Sequence, residues 1–265
     1  MDLDLKDRKV LITGAAEGIG RALALAFGKA GARVAGCART QSRLHALEEE
    51  IEGKGHHFQS VDVTQHDQLQ AFHDRVLEQL GGLDVLVNNV GSVGKLTNFH
   101  ELTDQDWRDS FEINLLPAVR LCRMFIPTLK HSGAPRIINI SSIAGSRPAD
   151  IFPHYSAMKA GLSNLTVSLA QTLAEEHILV NSVSPGPVWS RSWENEVQDI
   201  AKQSGKPLHE VEEEIKNGTA QSVPLKRMGM PEDVTGLVLF LASDHASWIT
   251  ATNFTVDGGI TQDPY

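Results

Sequence analysis

Short runs of consecutive apolar residues, such as Val10-Leu11-Ile12 and Ile137-Ile138, alternate along the chain with longer stretches whose apolar positions recur at helical spacing. The short runs do not alternate polar with apolar, which is the pattern of strands covered on both faces in a parallel sheet. Strands are predicted over 9–13, 33–38, a run ending at Val61-Asp62-Val63, 83–88, 136–141, 178–184 and 253–256. Helices are predicted over 19–29, 42–52, 68–80, 104–130, 152–175 and 231–243. Gly31 closes the first helix, and Thr103 with Asp106 makes a capping pair at the start of the 104–130 helix. Alternation of this kind implies right-handed βαβ units and a doubly wound, three-layer α/β/α fold around a parallel sheet. No linker rich in Pro, Gly and Ser divides the chain, so 1–265 reads as one domain. The charged segment 190–221, broken at Gly205-Lys206-Pro207, reads as two short helices. One has a stripe of Trp193, Val197 and Ile200, the other Leu208, Val211 and Ile215, as in a peripheral pair or a lid over a pocket.

Charge narrows the function classes. The formal net charge is −9 with a sequence pI near 5.6, and no basic stripe stands out, so a nucleic-acid partner is not expected. Cys37 and Cys122 lie in apolar stretches and read as buried thiols outside any disulfide framework. The N-terminal residues lack a signal peptide's apolar segment, and no run of about 18 apolar residues suggests a membrane span. The cytoplasm is the expected address.

Three constellations carry chemistry. After the first strand comes Thr13-Gly14-Ala15-Ala16-Glu17-Gly18-Ile19-Gly20, a glycine-rich turn opening a helix. Free N–H groups and the positive end of the helix dipole there suit a phosphate. Tyr155 and Lys159 stand at i, i+4 and share a helix face. A cation ~4 Å from a phenol, at an effective dielectric of ~20, favours phenolate by ~4 kcal/mol. At ~1.4 kcal/mol per pKa unit, that is a downward shift of two to three units, into the range of proton transfer. Asn114 lies in an apolar stripe of Trp107, Phe111, Ala118 and Cys122, where an amide needs partners. Pro117 lacks an N–H, so the helix should kink and free carbonyls near Asn114.

In order and spacing these features resemble the short-chain dehydrogenase/reductase family, over nearly the whole chain. The turn at 13–20 matches the family's TGxxxGIG, and Asn88-Asn89-Val90-Gly91 its NNAG with Val for Ala. Ser142, 13 residues before Tyr155, matches the family serine, and Tyr155 with Lys159 its YxxxK. Pro185-Gly186-Pro187-Val188-Trp189-Ser190 resembles PGxVxT, and Val256-Asp257-Gly258-Gly259 a family ending, although Ala251 replaces a usual Gly. The resemblance implies a Rossmann-like fold and hydride transfer between a nicotinamide and a carbonyl or secondary alcohol carbon. It implies Tyr155 as acid–base, Lys159 lowering the Tyr155 pKa and bonding the nicotinamide ribose, and Ser142 donating to the substrate oxygen. A carbonyl at Asn114 would hold a relay water. The implied coenzyme site draws on Gly14, Glu17, Gly18, Ile19, Gly20, Arg39, Asp62 (toward the adenine amino group), Val63, Asn89, Gly91, Tyr155, Lys159, Pro185, Gly186, Val188 (its N–H toward the carboxamide) and Ser190. No metal is implied.

Relatives that prefer NAD place Asp where Ala38 stands; here Ala38 is followed by Arg39, a fork for a 2′-phosphate. NADP(H) is therefore expected, with NAD the alternative because Glu17 stands where such relatives often carry a base. A silent nucleotide sensor on the same fold would show erosion of Tyr155, Lys159 or Ser142, and none is eroded. Epimerase or dehydratase relatives usually have longer C-terminal substrate domains. The substrate pocket is expected at 92–96, 143–151 and 189–215, with Trp189, Trp193 and Phe152 suiting an apolar body. Candidate substrates are a cyclic or aryl ketone, a polyol or a 3-oxoacyl thioester. A homotetramer is expected, relatives pairing their two long helices. Ala157, Ala160 and Gly161 permit close approach there, and Leu115, Val119, Met124 and Phe125 form an apolar surplus.

Overall fold

In the first strand, β1 (Lys9–Thr13), Val10 and Ile12 enter one apolar cluster and Leu11 another, on opposite faces of the sheet. β4 (Val85–Asn88) divides its side chains the same way, with Val85 and Val87 on one face and Leu86 on the other. Both faces are therefore buried, which is why these strands read as unbroken apolar runs. The computed structural model describes residues 3–262. With β2 (Arg33–Ala38), β3 (His57–Ser60), β5 (Arg136–Ile140), β6 (Leu179–Pro185) and β7 (Asn253–Val256), the strands form one parallel sheet in the order β3-β2-β1-β4-β5-β6-β7. β3 and β7 are its edges.

One face is covered by α1 (Gly18–Lys29), α2 (Gln41–Glu50) and α9 (Glu232–Ala242), through Leu23, Phe27, Leu44, Leu47, Val238 and Leu241. The other is covered by α3 (His66–Leu80), α5 (Leu116–Leu129) and α6 (Pro153–Thr172), through Phe72, Val76, Leu121, Phe125 and Ala170. Burying the Val, Leu and Phe side chains among these contributes ~1.5–3 kcal/mol each. The order of strand addition reverses between β1 and β4, and the crevice at the carboxyl ends of those strands is where such sheets hold ligands.

Two predicted elements change. The 104–130 helix is two helices, α4 (Asp104–Asn114) and α5. The ladder stops at Leu115 N–H to Phe111 O and resumes at Val119 N–H to Leu115 O. The carbonyls of Glu112, Ile113 and Asn114 are thereby left outside the helical ladder, the break expected from Pro117. The capping box is present at the start of α4, where Asp106 N–H donates to Thr103 Oγ1 at 3.2 Å and Thr103 N–H to Asp106 Oδ2 at 2.7 Å. The third strand ends at Ser60, short of the predicted Asp62-Val63. Asp62 Oδ1 accepts from Thr64 N–H at 3.0 Å and Thr64 Oγ1 at 2.8 Å, a local turn that outcompetes strand pairing.

Segment 190–221 holds α7 (Arg191–Ser204) and α8 (Leu208–Ser222), separated by Gly205 at φ 71°. Their shared core is Val197, Ala201 and Val211, flanked by Trp189 and Ile215. The predicted stripe residues Ile200 and Leu208 are instead exposed, at 36% and 55%. Among the described residues no helix is long and apolar enough to cross a membrane.

Candidate active site

The turn after β1 is built by glycine geometry. Gly14 and Gly18 have φ of 68° and 53°, a region that L side chains avoid. A Cβ on Gly20 would stand 2.1 Å from the Gly14 carbonyl oxygen, so the turn closes only over a bare α-carbon. Asn89 clips β4 to this turn, its Nδ2 donating to the Thr13 carbonyl at 2.8 Å, while Thr13 Oγ1 accepts from the N–H groups of Asn89 and Val90. The Asn89 side chain thus serves the turn itself. Glu17 is the N-cap of α1 but makes no side-chain cap bond, and the first turn of α1 has no acidic residue. The first N–H groups of α1 remain open to an anion, and a Cβ at Gly18 would meet nothing within 4 Å. These are the properties a dinucleotide pyrophosphate needs. Ile19, the second residue of α1, packs against the α1-side core.

Arg39 is exposed just beyond β2, its carbonyl held by Ser60 Oγ at 3.0 Å. Asp62 is half-buried and committed to Thr64, and Val63 is core. After β6, the Pro187 carbonyl accepts from Gly229 N–H at 2.9 Å and the Trp189 N–H donates to the Gly229 carbonyl at 2.8 Å. That bridge leaves out the Val188 N–H. Pro185 ends β6, Gly186 follows with its N–H donating to the Val256 carbonyl, and Ser190 is the N-cap of α7.

Tyr155 and Lys159 sit on α6, with Ser142 just past β5. Strand alternation separates the two serines. Ser141 turns to α6, donating to the Lys159 carbonyl at 2.9 Å, whereas Ser142 hydrogen-bonds Tyr155 and caps the short turn that follows. Phe152 meets the Tyr155 ring edge-on at 5.9 Å. Lys159 is 2% exposed, and its Nζ donates to the Ile140 carbonyl at 2.9 Å while lying 5.7 Å from the Tyr155 ring centroid.

The expected electrostatics are corrected here. Burial pushes the Tyr155 phenol above its ordinary pKa, and the Ser142 hydrogen bond only partly offsets this. Lys159 is itself pushed down to about 8 by burial. The ammonium turns beneath the tyrosine toward Ile140, so desolvation outweighs attraction between the two side chains. Gly91 explains how the lysine fits, because a Cβ there would lie 2.9 Å from Lys159 Nζ and 3.2 Å from Asn114 Oδ1.

Asn114 is 2% exposed and fully engaged. Its Oδ1 accepts from Ser92 N–H at 2.8 Å, and its Nδ2 donates to the carbonyls of Ser92 and Ser110 at 2.9 and 3.0 Å. The asparagine side chain therefore fixes the loop beside the site, while its carbonyl lies outside the helix ladder. Behind it is a cavity of about 10 Å³, the size of one water, lined in part by Thr13, Asn88, Ile113, Asn114 and Pro117. Two buried features escaped the sequence reading. Asn88 Nδ2 donates to Asn139 Oδ1 and Asn139 Nδ2 to Thr166 Oγ1, each at 2.9 Å, tying β4 to β5 to α6. His154, 2% exposed, packs against Trp107 next to Tyr155, and burial lowers its pKa. A buried asparagine in an otherwise apolar strand was the available signal for the first; nothing distinguished the second.

Comparison with known proteins identifies the family. A sequence profile described as enoyl-(acyl carrier protein) reductase matches residues 14–261. The chain is 35% identical to the uncharacterised oxidoreductase YvrD of Bacillus subtilis over 98% of both chains. It is 36% identical to L-fucose dehydrogenase of Oryctolagus cuniculus, over 94% of this chain and 84% of that one. The crystal structure of L-sorbose reductase from Gluconobacter frateurii, complexed with NADPH and L-sorbose, superposes with a TM-score of 0.90 at 30% identity, covering 99% of this chain and 100% of that one. The chain belongs to the short-chain dehydrogenase/reductase family. It is an oxidoreductase acting on alcohol and carbonyl groups with a nicotinamide coenzyme.

Proposed function

We propose that this enzyme interconverts a ketone and a secondary alcohol using NADP(H), with Tyr155 as general acid in reduction and general base in oxidation. The observation that carries the reading is the Tyr155 hydroxyl against Ser142, above a buried Lys159, on the ligand-binding edge of the sheet. When bound, the nicotinamide supplies or accepts the hydride. Tyr155, whose pKa is raised, stays protonated at neutral pH and so holds a proton ready for a carbonyl oxygen. Ser142 orients that oxygen by hydrogen bonding. The Asn114 carbonyl, outside the helix ladder and beside the small cavity, would accept a hydrogen bond from a relay water, with buried Lys159 next to Tyr155 as the neighbouring proton carrier. The open α1 terminus would hold the pyrophosphate, the Val188 N–H the carboxamide, and Arg39 the 2′-phosphate. The absence of an acid at Ala38 supports NADP(H), as does NADPH in the L-sorbose reductase complex. The L-fucose and L-sorbose enzymes among the relatives favour a polyol or sugar over the other candidate substrates.

We further propose one nucleotide-binding domain that assembles as a homotetramer. Phe111 and Val167, each 38% exposed, and half-buried Leu115, Val119 and Met124 leave apolar surface on the helices that would pair. Phe125 drops out of the expected surplus because it is wholly buried in the core.

The test is a matrix of NADPH and NADH against monosaccharides, polyols, cyclic and aryl ketones and 3-oxoacyl thioesters, run on wild type and Tyr155→Phe. Turnover with at least one carbonyl or alcohol should fall ~10²–10⁴-fold in the variant, with coenzyme affinity retained. A variant keeping more than about a tenth of the wild-type rate removes Tyr155 from the acid–base role.

A further inference from the structure

The acidic residue of the glycine-rich turn is neutralised by an arginine that the turn motif does not contain. Glu17 has the extended backbone of an N-cap, with φ −156° and ψ 164°, but its carboxylate does not bond α1. It crosses instead to the guanidinium of Arg43, in the first turn of α2. Arg39 lies just ahead of α2, on the same carboxyl edge between β1 and β2. The Glu17–Arg43 pair and exposed Arg39 thus come from three successive segments at the sheet edge that would receive the adenosine ribose. The Glu17 and Arg43 side chains are 47% and 38% exposed, and a pair so exposed adds little to stability. Nor is it needed to dock the helices, since Arg21 on α1 already pairs with Glu50 on α2.

We infer that Arg43 sets the preference for a 2′-phosphorylated coenzyme by masking the Glu17 carboxylate. The inference rests on the NADP(H) reading above. An unmasked carboxylate on this edge would offset the charge of Arg39 and repel a dianionic phosphate on the ribose. Paired with Arg43, the three side chains carry a net positive charge, and a guanidinium has donors enough to share between carboxylate and phosphate. The acidic residue that argued for NAD in the sequence is thereby reconciled with Arg39.

Calorimetric titration with adenosine 2′,5′-bisphosphate and adenosine 5′-monophosphate tests this without catalysis. Wild type should bind the bisphosphate more tightly. Arg43→Gln should cut that preference about tenfold, the effect of one partly exposed charge, leaving monophosphate affinity within about twofold. Glu17→Gln added to Arg43→Gln should recover most of the loss, and Arg21→Gln should change neither affinity. A wild-type preference that survives Arg43→Gln overturns the inference and leaves the NADP(H) reading standing. A double variant as impaired as Arg43→Gln also overturns it, making Arg43 a direct phosphate ligand. Equal wild-type affinities for the two nucleotides overturn the NADP(H) reading itself.

Discussion

Replacing Lys159 by methionine should change the pH dependence of stability. Burial lowers the lysine pKa from 10.5 to about 8 in the folded protein. At ~1.4 kcal/mol per unit, holding the charged form inside costs roughly 3 kcal/mol. Below about pH 8 the lysine is charged in both the folded and unfolded states, and the full penalty stands. Between about pH 8 and 10.5 the unfolded chain binds more protons than the native one, so stability rises with pH. Above that range both states are neutral and the penalty is gone. Urea unfolding, followed by tryptophan fluorescence at fixed protomer concentration, should be run on wild type and Lys159→Met from about pH 7 to pH 10. The difference between the two free energies should be flat at first, then shift toward wild type by about 1.4 kcal/mol per pH unit. Loss of the bond to the Ile140 carbonyl adds an offset without this slope. Tyr155, present in both proteins, cancels. A difference independent of pH across the range would refute a buried, destabilised ammonium.

Gly91→Ala should lower kcat by about 10²-fold, because the new Cβ would press within 2.9 Å of Lys159 Nζ and displace it; steady-state kinetics with the best substrate checks this. Ala251, where the family usually has Gly, holds a left-handed φ of 61°, so Ala251→Gly should raise stability by up to about 1 kcal/mol, seen as a higher Tm. Light scattering at micromolar concentration should give a mass near four times 28.9 kDa, and a monodisperse, fully active monomer would contradict the tetramer.

What the sequence made legible was local or covalent. The capping box at Thr103 and Asp106 needs only neighbouring residues, and the break after Asn114 follows from an N–H that Pro117 does not have. The continuous apolar strands announced a sheet covered on both faces. The choice of Ser142 over Ser141 agrees with strand alternation. What stayed hidden depends on burial and on distant neighbours. Helical spacing put Tyr155 and Lys159 on one face but carried no information about the Ile140 carbonyl beneath them, and so gave the tyrosine shift the wrong sign. Phe125 looked like surplus because periodicity does not say which side of a helix meets the sheet. The Asn88–Asn139–Thr166 chain needs the strand order β4-β5 and the position of α6 before its members can meet.

The outer edge of β7 bears on how the proposed homotetramer could be dissociated. Its residues alternate exposed and half-buried from Asn253 to Val256, and the strand ends the sheet. A strand at the edge of a sheet is a template for further strands, whatever their source. Charging the helical surface alone would leave that template in place, now at the rim of a more soluble particle. A well-behaved monomer would therefore need a gatekeeper on the edge itself, and exposed Thr255 is the position where a lysine would repel a docking strand without disturbing the core.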